Sequence, residues 1–184
     1  TVTFPSMVVS VQDREVTALV AVKAVSQAYP LRGALRVKPR VDAAEELAQG
    51  GPARGTVWVD AQLLQALHLN LGDELQLGDA VFTVERLISL EPDRGMAFIN
   101  FAPRVMLSVA DLPATGLIQP ASRVTYRLLV AGDLDVVRAF KAEVEPRLAR
   151  GQRIESLESG RPEIQRTLER AERFLALVAL LAAL

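Results

Sequence analysis

The sequence predicts an α+β fold, and three observations carry that prediction. The chain opens with two runs rich in β-branched and small apolar residues, and its middle is a series of short apolar strands bounded by Gly and Asp. Beyond Ser122 an alternating run, an amphipathic helical run and one more strand-like stretch follow in that order. A charged helical segment then passes without a break into a purely apolar one, residues 174–184.

The first run, with Val2, Phe4, Met7, Val8 and Val9, leads to a polar turn at Gln12, Asp13, Arg14 and Glu15. Residues 16–25 return from it, the pattern of a β-hairpin. A short strand at 34–37 and a helical patch at 42–48 come next, and Gly50-Gly51-Pro52 through Arg54-Gly55 reads as loop. Thr56-Val57-Trp58-Val59 is a strand with Trp58 in a core position. Asp60 suits a helix N-cap, and Leu63, Leu64 and Leu67 fall on one face of a short helix ending near His68.

Gly72-Asp73 and Gly78-Asp79 supply the turns around Glu74-Leu75-Gln76-Leu77, whose hairpin mate is Val81-Phe82-Thr83-Val84, with Phe82 in the core. This β-rich module is expected to run to Ile88 and on to Phe101. After Pro103 the spacing of Val105, Met106, Val109 and Leu112 predicts a short helix stopped by Pro113. In 122–130 the residues Val124, Tyr126, Leu128 and Val130 share one side of a strand. Val136, Val137, Phe140, Val144 and Leu148 share one face of a helix closed by Gly151, and 152–157 complete a βαβ unit.

Residues 174–184 show no polar stripe and no cap. They number eleven, against the ~20 needed to cross a bilayer. They read as the start of a transmembrane helix, the alternative being a terminal helix lodged in an apolar groove. Ahead of them Arg161, Arg166, Arg170 and Arg173 alternate with Glu163, Glu169 and Glu172 at helical spacings, which suits a helix standing in water. At the other end, the first strand begins with nothing to pair it, so an upstream part of the domain is expected.

Charge excludes some functions. With 21 basic and 22 acidic residues and no basic block, the chain lacks the cationic face that nucleic acid requires. The absence of Cys removes disulfides, thiolate nucleophiles and Cys-based zinc sites.

Candidate chemistry is thin. His68, the one histidine, has no nucleophile in a recognisable turn beside it and reads as structural. The carboxylates Glu45 and Glu46, Glu143 and Glu145, and Glu155 and Glu158 lie in polar stretches and read as solvated faces. Asp73 and Asp79 are too sparse for an oxygen-ligand metal loop. No catalytic, cofactor-binding or metal residue is assigned, and no cofactor is expected.

Six segments in order carry a resemblance. They are Thr1-Val2-Thr3-Phe4-Pro5-Ser6-Met7; Val20-Ala21-Val22-Lys23-Ala24-Val25-Ser26 leading into Tyr29-Pro30-Leu31-Arg32-Gly33; Val57-Trp58-Val59-Asp60; Leu71-Gly72-Asp73-Glu74-Leu75-Gln76-Leu77-Gly78; Phe101-Ala102-Pro103-Arg104-Val105-Met106 with Asp111-Leu112-Pro113-Ala114-Thr115-Gly116-Leu117-Ile118; and Arg170-Ala171-Glu172-Arg173-Phe174-Leu175. Together they resemble the periplasmic core domain of the MacB/FtsX class of ABC transporter permeases, closest to the YbbP-like branch.

The resemblance implies a porter-like subdomain with βαβ units, made from 1–32 and 122–161 and lacking its N-terminal part. It implies an inserted β-rich (sabre-like) subdomain at 33–121, and a stalk helix running into the start of a transmembrane helix at 162–184. Such a domain lies in the periplasm, on the inner (plasma) membrane protein's side away from the ATPase. The implied function is mechanotransmission: motion driven by a separate cytoplasmic ABC ATPase subunit is coupled to substrate handling or to a periplasmic partner. The implied partners are that ATPase, membrane lipid at the C-terminal helix, a permease dimer and a periplasmic protein, with no nucleic acid. ATP chemistry in this chain would need a G-x-x-x-x-G-K-[ST] loop, which it lacks. The alternatives are a non-transporting regulatory or docking domain controlling a periplasmic enzyme and, behind it, a soluble hydrolase domain.

Overall fold

Alternation sets the first hairpin. In β1 (Val2–Ser10) Val2, Phe4 and Val8 are buried, and β2 (Thr17–Val25) pairs with it antiparallel from Val2↔Ala24 to Val9↔Thr17. The polar turn between them is tied by local side-chain bonds: Asp13 N donates to Ser10 Oγ at 3.3 Å and Glu15 N to Asp13 Oδ1 at 3.1 Å. This computed structural model describes residues 1–94 and 102–156.

The remaining strands are β3 (Arg36–Lys38), β4 (Glu46–Leu47), β5 (Thr56–Val59), β6 (Glu74–Leu77), β7 (Ala80–Leu90), β8 (Arg104–Ser108) and β9 (Thr125–Tyr126). β7, β5, β8, β2, β1 and β6 are neighbours in that order, and β6 pairs back onto β7, so these six close into a barrel. β5 runs parallel to β7 and β2 parallel to β8, while the other contacts around the barrel are antiparallel. Closure removes the exposed edges that an open sheet would leave. β3 and β4 extend the sheet from β7, and β9 pairs with β1.

The barrel interior takes alternate residues from each strand: Phe4 and Val8, Val22 and Ala24, Val57 and Val59, Leu75 and Leu77, Phe82 and Val84, Val105 and Leu107. Helix α1 (Ala61–Leu67) adds Leu63, Leu64 and Leu67 to the same core. Asp60 caps it, accepting from Leu63 N at 3.1 Å. A second apolar layer lies on the outer face, where Val25, Trp58, Ile88 and Met106 meet Tyr29, Leu35 and Val37. Trp58 and Phe82 are thus both core residues, of two different layers. Pro5 falls where β1, past its pairing to β9 at Thr3 and before its pairing to β6 at Val8, has no neighbour on that side, so its missing N–H costs no ladder bond.

Four local expectations are corrected. The run after Pro103 is strand β8, not a helix; it is buried on both faces, so it lacks alternation, and only from Val109 to Thr115 does the chain coil, as a 3-10 helix with Pro113 inside. Residues 42–48 give β4 and no helix, because Glu46 is drawn to Arg86 of β7 and Ala48 N to Leu35 O at 2.9 Å. Of the strand expected over 122–130 only Thr125–Tyr126 is paired. Residues 152–156 form no strand.

The hairpin of β1 and β2 lies beside Tyr126, with Val2 opposite it. It was expected in a subdomain apart from 33–121, yet it also forms barrel wall, β2 on β8 and β1 on β6, because its inward residues complete the same core. The chain falls into two compact units, Thr1–Ala131 and Gly132–Leu184. In the second, α2 (Leu134–Val144) carries Val136, Val137, Phe140 and Val144 on one stripe and stops before Pro146, with a 3-10 turn at Glu145–Arg147. The stalk and membrane segment expected at 162–184 lies outside the described residues.

Candidate functional site

The unusual chemistry of this fold is a buried ion cluster on the outer face of the barrel. Lys23 is an outward residue of β2, in register with Met106 of β8. Two residues earlier on the same face, Ala21 is in register with Arg104. Burial of two cations on one apolar face demands anions. They come from the end of β7: Glu91 and Asp93, just past Leu90.

Lys23 Nζ donates to Glu91 Oε1 at 2.7 Å, to Asp93 Oδ1 at 2.6 Å and to the Tyr29 hydroxyl at 2.8 Å, which uses all its ammonium hydrogens. It also stands 4.4 Å from the centre of the Tyr29 ring. Arg104 Nε donates to the other Glu91 oxygen at 2.9 Å, and its Nη1 reaches Ala21 O at 3.4 Å. Tyr29 donates its hydroxyl to Asp93. The side chains of Lys23, Glu91 and Arg104 are 5%, 1% and 2% exposed, against 40% for Asp93, so solvent meets the cluster on the Asp93 side.

Environment fixes the protonation states. Burial, with the bond to Asp93 and that residue's charge, drives the Tyr29 phenol far above its ordinary range and keeps it a donor. For Asp93, burial works to raise its pKa, but the hydrogen bonds from Lys23 and Tyr29 outweigh it and hold the carboxyl below its usual value. A neutral phenol therefore faces an ionised Asp93 carboxylate.

Asp60 ties this cluster to α1. Beyond capping the helix, its Oδ2 accepts from Arg104 N at 2.9 Å and from Arg94 Nη2 at 3.3 Å. Among the described residues no buried side-chain nitrogen or oxygen lacks a partner. Such a balanced arrangement offers no unpaired base or nucleophile; it pins β2, β7, β8 and the Tyr29 segment to one another. A groove of about 250 Å³ beside it, lined by Gln27, Tyr29, Pro30, Leu35, Leu47 and Ala48 among others, has no charged side chain in its wall.

The residues singled out from sequence are elsewhere. His68 is the exposed C-cap of α1, with φ 54°. Glu45 pairs with Arg36 at 3.8 Å, Glu46 with Arg86, Glu143 with Arg147 at 3.2 Å and Glu155 with Arg153 at 2.6 Å, all exposed. Glu145 opens the 3-10 turn after α2, and Glu158 lies outside the described residues. Asp73 accepts from Asn70 N at 2.7 Å within its own turn, while Asp79 N donates to Thr115 O at 2.9 Å. Among the described residues no three His, Cys, Asp or Glu side chains gather as a metal site.

Sequence reading missed the cluster, although one signal was there. Lys23 is one of only three lysines and interrupts an otherwise apolar strand. A strand buried on both faces has no solvent side for such a residue, so a buried acid had to be sought.

No protein-family model matches the chain. Over 166 residues it is 34% identical to the uncharacterized ABC transporter permease YbbP of Escherichia coli (strain K12), a match taking in 90% of this chain and 20% of YbbP. The chain is a YbbP-like ABC permease domain. It spans about one fifth of the length of this curated relative. Among the described residues no helix is long and apolar enough to cross a membrane.

Proposed function

We propose that this chain is the extracytoplasmic domain of an ABC transporter permease subunit in the inner membrane, facing the periplasm. The single observation behind this reading is the similarity to YbbP across 90% of the chain. In this reading the barrel of β1, β2 and β5–β8 is the rigid part of a non-catalytic module. The unit from Gly132 on belongs to a porter-like part. Residues 162–184 form a stalk helix entering the bilayer, with water around its charged first part and lipid around 174–184.

ATP is hydrolysed by a separate cytoplasmic subunit, whose closure moves the membrane helices. The stalk carries that motion to the periplasmic domain, where substrate or a partner protein meets it. The buried cluster suits such a role: mechanical input is transmitted only through a body that does not yield, and ionic pins between β2, β7 and β8 stiffen this one.

The test is coupling in the whole permease with its ATPase. Leu177→Pro removes a backbone donor from the proposed lever and kinks it, at a cost of ~3 kcal/mol. ATP hydrolysis is expected to persist while periplasmic function is lost. Normal coupling in a variant whose helix is demonstrably broken would remove the lever from the account.

A further inference from the structure

The edge of β1 away from β2 is paired at both ends and empty in the middle. β9 pairs with it at Val2 and Thr3, and β6 takes it up again at Val8. Odd-numbered residues face this edge: Arg127 N donates to Thr1 O at 2.8 Å, and Val11 N to Glu74 O at 3.3 Å. In an antiparallel ladder alternate residues turn both main-chain groups to the same side, so Pro5 and Met7 face it too. Pro5 has only a carbonyl to offer. Met7 turns its N–H and C=O toward a gap in the sheet, where the carbonyl meets only Ser6 Oγ, at 3.4 Å.

A cavity of about 160 Å³ opens at this gap. Buried Phe4 with half-buried Leu117 and Val124 gives it an apolar floor, and Ser6, Ser122 and Arg123 stand at its rim. Its far wall bonds to itself: Ser122 N donates to Gln119 O and Val124 N to Ser122 O, both at 3.0 Å. The Val124 N–H is thus used within that wall, and the wall does not zip onto β1. Charge near the rim has one sign. Residues 119–131 contain Arg123 and Arg127 and no acid, and neither arginine enters an ion pair among the described residues.

We propose that this gap binds a short extended segment of an acidic partner protein as an added piece of strand, one residue of which exchanges main-chain hydrogen bonds with Met7. Alternation then sets the pattern of the segment. The residue opposite Met7 points outward, and its neighbour, opposite Ser6, points into the cavity over Phe4. The cavity has room for one side chain the size of valine, and a glutamate next to it in sequence meets Arg123 at the rim. The site is independent of the permease reading, since it rests on the barrel edge alone.

The experiment uses the 184-residue chain isotope-labelled at its methionine nitrogens, those of Met7, Met96 and Met106. Met7→Leu assigns the Met7 resonance, and the amide of Met106, inside the sheet between β2 and β5, is the control. The probe is a capped tetrapeptide with Val-Glu at its centre, compared at constant ionic strength with one carrying Val-Lys. The Met7 amide should shift saturably with the Val-Glu peptide while that of Met106 stays in place. Arg123→Gln, a change at an exposed side chain, should weaken this binding by roughly fivefold. A Met7 amide that does not respond, equal binding of the two peptides, or binding that Arg123→Gln leaves unchanged would overturn the proposal.

Discussion

Lys23 and Glu91 are 68 residues apart in the chain and 2.7 Å apart in space, joining the middle of the barrel wall to the segment that leaves β7. Their two positions are not equivalent. Glu91 answers Lys23 and Arg104 together, whereas Lys23 has Asp93 in reserve.

Removal of Glu91 should therefore cost more than removal of Lys23. Glu91→Ala takes a buried carboxylate from both Arg104 and Lys23, leaving Lys23 to Asp93, and breaking a buried pair costs about 3–5 kcal/mol. Lys23→Met leaves Glu91 with Arg104 and Asp93 with Tyr29 and water, so its cost should be smaller. Urea denaturation of both variants orders them, and equal losses would mean that Glu91 is not shared.

Acid should loosen the same cluster through Asp93. Its carboxyl titrates below its ordinary value when folded, so its stabilisation is present above the unfolded value of ~3.9 and is lost as pH falls through the folded one. Asp93→Asn removes that dependence. Stability measured between about pH 6 and pH 3 should fall less steeply in the variant than in the parent.

Glycine substitutions separate strain from collision. Gly72 (φ +98°) and Gly78 (φ +61°) both adopt backbone conformations that L residues resist, at about 1–2 kcal/mol each. A Cβ at Gly72 meets nothing within 4 Å, but at Gly78 it would lie 2.0 Å from Thr115 O. Gly78→Ala should thus lower the melting temperature well beyond Gly72→Ala, since the turn after β6 has to part from the end of the 3-10 helix.

The two aromatic core positions should respond alike in stability. Phe82→Ala opens the barrel interior, and Trp58→Ala opens the outer layer and removes the bond that Glu85 accepts from Trp58 Nε1 at 2.9 Å, leaving Glu85 with Thr56 Oγ1 at 3.0 Å. Each should cost about 3–5 kcal/mol in chemical denaturation. A loss under 1 kcal/mol at either position would show that its layer closes around the gap.

The elements legible in the sequence are those with one wet face and a marked end. β1 alternates ahead of the polar turn that leads into β2, α1 has Asp60 as its cap and a stripe of Leu63, Leu64 and Leu67, and β6 and β7 meet at Gly78-Asp79. β8 was illegible because burial of all its residues erases alternation, leaving Val105, Met106, Val109 and Leu112 at a spacing that suits a helix. Closure of the barrel was illegible as well, since the pairing of β6 with β1 and of β2 with β8 joins segments no local pattern links. The ion cluster depends on those same distant pairings. Lys23 and Arg104 could be noticed as cations within apolar runs, but their partners are fixed by the path of the chain.

The central claim, that this domain stands outside the cytoplasm as part of a permease, is tested most directly by sidedness of labelling. The chain has no cysteine, so Glu15→Cys in the exposed turn between β1 and β2 adds a single thiol to it. In the whole permease, made cysteine-free elsewhere and expressed in spheroplasts, a membrane-impermeant maleimide should label that thiol without lysis. Labelling that appears only after the membrane is broken would contradict the account.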